Sequence, residues 1–96
     1  MIRITTNEKA LSVRAEGHSG YDKKGRDIVC AAVSILFYAY AAELLKTGVK
    51  TEIRDDGNVF EIVPEGGSRS SYDTVMMGLR LLAESYENHV RIEVIS

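Results

Sequence analysis

The chain has 96 residues, of which 45% are hydrophobic, and its formal net charge is −2. A chain of this size holds one hydrophobic core, so residues 1–96 are predicted to form a single domain. The slight negative charge disfavours direct nucleic-acid binding, and a lone cysteine in a chain that opens without a signal-peptide pattern indicates a cytoplasmic protein.

The first sixteen residues predict an antiparallel hairpin, because apolar and polar residues alternate there. Ile2 and Ile4 mark the first strand, Val13 and Ala15 mark the second, and residues 6–8 form the turn between them.

The next stretch, residues 16–26, loses the apolar alternation and contains Gly17, Gly20 and Gly25. A glycine-rich connection of this length is typical of a functional loop. We expect it to be mobile, with Gly20, Tyr21 and Gly25 as its main residues.

A long helix is predicted from Ile28 to Leu45, because this stretch has neither proline nor glycine and follows Asp27, a good N-cap. Apolar residues cover most of the helix circumference, so the helix requires burial on most sides. The uninterrupted apolar run is shorter than a membrane span, and Ser34 and Glu43 argue further against one. Burial between the sheet and a second subunit is expected, which predicts a homodimer.

The remaining residues predict a second hairpin, a second helix and a closing strand. The hairpin turns at residues 55–58, and the amphipathic helix begins at a capping pair of Ser70 and Asp73. The closing strand follows from the alternation between Val90 and Val94. The order ββαββαβ indicates an α+β fold with a mixed, mainly antiparallel sheet, packed with two helices as a two-layer or three-layer α/β sandwich.

The only cysteine, Cys30, falls in the first turn of the predicted long helix, where the helix dipole stabilises a thiolate by about 0.3–1 kcal/mol. His18 in the preceding loop is the candidate base, because an imidazolium pairs with a thiolate and then protonates a leaving amine. The N–H groups of the same helical turn would stabilise an oxyanion. Alternatively, Cys30 is a core residue and His18 a solvated one, and the two residues alone leave both interpretations open.

Two further residues are candidates for supporting roles. Asp27 either caps the helix, which is the favoured interpretation, or orients His18 as a third catalytic group. Ser34 lies one turn after Cys30 and either faces the same cleft or bonds back to the Cys30 carbonyl. His89 is interpreted as a structural partner of the second helix's C-terminus. One cysteine and one loop histidine fall short of a zinc site, so neither a metal nor another cofactor is expected.

Two motifs in the chain resemble those of the ribosomal-processing cysteine proteases called Prp. They are Gly17-His18, followed by Tyr21 and Gly25, and the run Asp27-Ile28-Val29-Cys30-Ala31-Ala32-Val33-Ser34. The resemblance covers nearly the whole chain. It implies a bacterial cysteine endopeptidase that removes an N-terminal extension from the twenty-seventh protein of the large ribosomal subunit, with Cys30 as nucleophile and His18 as base. It also implies a homodimer and a mobile loop beside the site.

Two other functions remain as alternatives. In the first, the chain is a non-catalytic, ribosome-associated binding module whose cysteine is incidental. In the second, it is a redox sensor in which Cys30 is reversibly oxidised. Substitution separates the three classes. A binding module tolerates loss of Cys30 or His18, a sensor loses only its reversible oxidation, and a protease loses turnover.

Overall fold

The computed structural model describes residues 1–23 and 25–95, and its elements follow the predicted order ββαββαβ. The strands are β1 (Ile2–Asn7), β2 (Ser12–Glu16), β3 (Thr51–Asp55), β4 (Val59–Pro64) and β5 (Val90–Ile95). The helices are α1 (Ile28–Lys46) and α2 (Arg69–Ser85). The predicted fold class is confirmed.

The five strands form one mixed sheet in the order β3-β4-β2-β1-β5. Neighbouring strands are antiparallel except β1 and β5, which run parallel. The register places Ile4 opposite Ala15 and Val13 opposite Ile62, so the buried residues of adjacent strands share one face. A single apolar face follows, as the sequence alternation predicts.

Both helices pack on that one face. The opposite face carries charged residues such as Arg3 and Glu93, which are exposed. The structure is therefore the two-layer form of the predicted sandwich. The core joins residues from the sheet and from both helices: Ile2, Ile4, Val13, Ala15, Ile62, Val90, Val29, Val33, Phe37, Leu44, Val75, Met76 and Leu79, with others around them.

Helix α1 is apolar on its outer side as well as its inner side. Its length and mean hydropathy of 2.0 are those of a membrane-spanning helix by composition alone, a test that the core helix of a soluble protein also passes. The inner side nevertheless packs into the shared core, where Phe37 and Leu44 are fully buried. Burial in the core accounts for the apolar residues on the inner side, while the outer side leaves Ile28, Ile35 and Leu45 exposed.

Helix α2 begins at a different cap from the predicted one. Ser68 is the N-cap, and its hydroxyl accepts a hydrogen bond from the Ser71 N–H. The predicted pair does not form, because Asp73 instead lies 3.5 Å from the Arg69 guanidinium. The helix consequently starts two residues earlier than a Ser70 cap would place it.

The start of α1 is fixed by Asp27, and here the N-cap prediction is confirmed. One carboxylate oxygen of Asp27 accepts hydrogen bonds from the N–H groups of Val29 and Cys30, both at 3.0 Å. Burial acts to raise the pKa of this carboxyl. The hydrogen bonds from the Ser19 hydroxyl and from the backbone and thiol of Cys30 outweigh burial and lower the pKa to about 2.

We predict that Asp27→Asn lowers the free energy of unfolding at pH 7 by about 1–2 kcal/mol, because the neutral amide loses charge-assisted hydrogen bonds. The folded-state pKa lies below the unfolded value, so the contribution is complete above pH about 4. It is lost as the pH falls through about 2. Urea unfolding of both chains between pH 7 and pH 2 measures this, and a difference that stays constant with pH would contradict it.

Candidate active site

An open cleft of about 590 Å³ lies between the 17–27 loop, the first turns of α1 and the turn between β3 and β4. The four predicted site residues all line it: His18, Asp27, Cys30 and Ser34. Gly20 and Gly25 line it too. The fold therefore brings one loop and one helix end together around the only thiol of the chain.

The Cys30 sulfur has one backbone partner from the loop. Cys30 is half-buried, and the Ser19 N–H points to its Sγ at an N–S distance of 3.5 Å. His18 is exposed, and none of the hydrogen bonds of residues 1–23 and 25–95 involves its ring. The structure thus places His18 and Cys30 in one cleft without a direct hydrogen bond, and their catalytic pairing stays a prediction.

The N–H groups at the start of α1 are already occupied. Those of Val29 and Cys30 are donated to the Asp27 carboxylate, and that of Ala31 to the Asp27 carbonyl at 3.1 Å. These three groups are therefore bonded to Asp27 in this structure, and the stabilisation of an oxyanion by this turn stays a prediction. The backbone donor that faces the sulfur is the N–H of Ser19.

The two candidate supporting residues differ in their contacts. The second carboxylate oxygen of Asp27 accepts the Ser19 hydroxyl proton, and within the described part of the chain no hydrogen bond joins Asp27 to His18. Ser34 is half-buried in the cleft. Of its two predicted alternatives, the back-bond to the Cys30 carbonyl is absent from the hydrogen bonds of the described residues. The position of Ser34 in the cleft lining agrees with the other alternative.

Ser19 is a site residue that sequence reasoning missed. It is only 2% exposed although it stands between two exposed residues, His18 and Gly20. Its hydroxyl donates to Asp27 and accepts the Tyr21 N–H at 3.1 Å. The signal was weak, because a serine in a glycine-rich loop is usually a solvated turn residue.

The ring of His89 contacts the loop of the site. Its Nδ1 lies 2.8 Å from the Ser19 carbonyl oxygen. The end of α2 is closed instead by the N–H of Tyr86, which donates to the Leu82 carbonyl at 2.8 Å. The His89 ring thus bonds to the loop, and it is the His89 backbone N–H that bonds to the end of α2, at the Tyr86 carbonyl.

Two residues of the loop beside the site, Gly17 and Tyr21, have defined contacts with the rest of the fold. Gly17 has φ +87°, and a Cβ there would lie 2.8 Å from the Met1 carbonyl oxygen, so only glycine fits. Tyr21 packs edge-to-face on Tyr86, with ring centroids 5.4 Å apart. Lys24 lies outside the described residues. The mobility predicted for Gly20, Tyr21 and Gly25 stays a prediction.

No group of three or more His, Cys, Asp or Glu side chains is placed to hold a metal ion anywhere in residues 1–23 and 25–95. The polar groups of the cleft are a thiol, an imidazole, a hydroxyl and carboxylates. That set suits nucleophilic and acid–base chemistry, in which a thiolate attacks and an imidazole moves the proton.

Sequence comparison identifies the relatives of this chain. Residues 1–91 match the family described as cysteine protease Prp. The chain is 34% identical to the ribosomal processing cysteine protease Prp of Mycoplasma pneumoniae, over 97% of this chain and 94% of that protein. It is 28% identical to the Prp of Staphylococcus aureus, over 95% and 94% of the two chains.

Structure comparison gives the same fold. The essential ribosomal processing protease Prp of S. aureus, with a covalently linked product peptide, matches with a TM-score of 0.82 at 23% identity, over 98% of this chain and 97% of that one. The S. aureus protease with a substrate peptide matches with a TM-score of 0.73 at 20% identity, over the same shares. The family match spans the loop, the first helix and the cleft between them, and the chain belongs to the cysteine protease Prp family.

Proposed function

We propose that this protein is an endopeptidase that removes the N-terminal extension of the twenty-seventh protein of the large ribosomal subunit, in the cytoplasm. The observation that carries the proposal is the position of Cys30, the only thiol of the chain, at a capped helix start on an open cleft that also holds His18. The name of the M. pneumoniae relative, ribosomal processing cysteine protease, supports the substrate class.

In the proposed reaction His18 removes the Cys30 proton, and the thiolate attacks the scissile carbonyl carbon to form a C–S bond. The C–N bond breaks as the imidazolium gives its proton to the leaving amine, which leaves a thioester on Cys30. His18 then removes a proton from water, and the hydroxide attacks the thioester. Cys30 leaves as a thiolate and recovers its proton, which completes the cycle.

The charge of Asp27 makes His18 necessary. A carboxylate beside a sulfur atom disfavours the thiolate by like-charge repulsion. The Ser19 hydroxyl and the helix N–H groups satisfy this carboxylate but leave its charge in place. A positive charge must therefore come from another group, and His18 is the histidine that lines the cleft.

The shape of the cleft suits an extended peptide. It is open to solvent and runs from the loop past Cys30 to the β3–β4 turn, where Asn58, Val59 and Phe60 line it. Phe60 packs edge-to-face against Phe37 with ring centroids 5.2 Å apart, so this wall rests on the core. An apolar wall opposite a loop holds a substrate by side-chain burial and by backbone hydrogen bonds.

We predict that the wild-type chain cuts the extended ribosomal protein once, and that Cys30→Ala and His18→Ala reduce the cleavage rate by at least about 100-fold. Mass spectrometry of the ribosomal protein after incubation gives the products. Cys30→Ser is the matched control, because it keeps the shape of the side chain and replaces only the nucleophilic atom.

Urea unfolding checks that each variant is folded. Cleavage that persists in Cys30→Ala would contradict the proposal. Absence of cleavage by the wild-type chain and by both variants, together with unchanged binding of the ribosomal protein, would favour the binding-module alternative. Reversible oxidation of Cys30 without any peptide turnover would favour the redox sensor.

We further propose that the protein is a homodimer through the outer side of α1. Exposed apolar residues repeat there with the three-and-four spacing of a helix–helix seam, and Ile28, Ile35 and Leu45 are each more than half exposed. A contiguous exposed apolar stripe is typical of a surface that a protein partner covers. The full stripe is Ile28, Ala31, Ile35, Tyr38, Ala42 and Leu45.

We predict a dimer for the wild-type chain at micromolar concentration and a monomer for Ile35→Glu, because a charge at the centre of the seam loses its solvation when covered. Sedimentation velocity measures both. Val94→Glu is the control, since Val94 is also exposed but lies on the edge strand β5. A monomeric wild-type chain, or dissociation by Val94→Glu alone, would contradict the proposed interface.

A further inference from the structure

The peptide units of Ser19 are held from both sides. Its N–H points to the Cys30 sulfur at 3.5 Å, and its carbonyl oxygen lies 2.8 Å from Nδ1 of His89. The side chain is 2% exposed and is bonded to the Asp27 carboxylate. The position of the loop relative to the sulfur therefore depends on contacts with two distant parts of the chain.

His89 belongs to a fixed part of the structure. Its N–H donates to the Tyr86 carbonyl at 2.8 Å, and its carbonyl accepts the Ile2 N–H at 2.9 Å. Val90, the next residue, is 2% exposed. The turn between α2 and β5 thus ties the histidine backbone to the end of a helix and to the first strand of the sheet.

The His89 ring makes a directional contact with the loop. A carbonyl oxygen only accepts hydrogen bonds, so Nδ1 carries the proton that is donated to Ser19. The neutral Nδ1–H form and the imidazolium both donate there, so the contact holds in either charge state. The ring also meets Tyr21 edge-to-face, with centroids 5.4 Å apart and an interplanar angle of 81°.

We propose that His89 is a positioning residue for the catalytic thiol: it holds Ser19 so that the Ser19 N–H stays directed at Cys30 Sγ and His18 stays at the edge of the cleft. The N–H donates to the sulfur and stabilises its charged form. His18 directly precedes Ser19, so a shift of Ser19 moves the proposed base as well. The kinetic consequence rests on the proposed protease function, whereas the effect on Ser19 does not.

The test measures the loop and the reaction separately. Hydrogen exchange of the Ser19 amide, followed by NMR, reports the loop, and kcat and KM for peptide cleavage report the reaction. We expect His89→Ala to speed amide exchange by about 10-fold, the value of one lost hydrogen bond. We expect kcat to fall by about 10- to 100-fold with KM changed less than about 3-fold. The substitution misaligns Ser19 and His18 relative to the Cys30 sulfur and leaves the walls of the cleft in place.

Three companion variants give controls. His89→Asn places an amide donor where Nδ1 stood and is expected to restore both exchange and kcat. His89→Gln moves the donor one bond further out and is expected to restore neither, which keeps the test open if the alanine variant fails to fold. Asn88→Ala, an exposed change in the same turn, is expected to leave exchange and kcat unchanged.

The outcomes separate this inference from the proposed function. Unchanged exchange in His89→Ala, or faster exchange with unchanged kcat, would overturn it. A fall in kcat that Asn does not rescue would overturn it too. A wild-type chain that cleaves nothing, with exchange that follows the expected pattern, would refute the protease proposal and leave the positioning of Ser19 by His89 supported.

Discussion

The carboxylate of Asp27 is the contact on which the site depends. One of its oxygens accepts the N–H groups of Val29 and Cys30, and the other accepts the Ser19 hydroxyl. The same side chain thus ends the loop and begins α1, which fixes the distance between the two segments. A helix start without such a cap frays within its first turn, and the thiol lies in that turn.

This arrangement has an electrostatic cost that the rest of the cleft must offset. A carboxylate near the sulfur opposes its ionisation, while the Ser19 N–H and a protonated His18 favour it. None of the hydrogen bonds of the described residues involves the His18 ring, so Cys30 and His18 do not form an ion pair in this structure. In the proposed reaction we expect peptide binding in the cleft to bring the two groups together, since it excludes water from between them.

The fold follows from local sequence signals, and the site follows only in part. Alternation in β1 and β2 and the N-cap at Asp27 are local patterns, and they predicted the elements well. The parallel pairing of β5 with β1 and the burial of Ser19 depend on contacts between residues far apart in sequence. His89 illustrates this best, because its partner Ser19 lies 70 residues away and no spacing rule connects them.

Covalent labelling of the thiol gives the sharpest test of the Cys30–His18 pair, with a peptide that copies the N-terminal extension of the proposed substrate and carries a vinyl sulfone in place of the scissile carbonyl. We predict one label per chain, mapped to Cys30, with labelling at least about 100-fold slower in His18→Ala. Labelling of His18→Ala at the wild-type rate would contradict the account, because Cys30 would then react without the base that the cleft is proposed to supply.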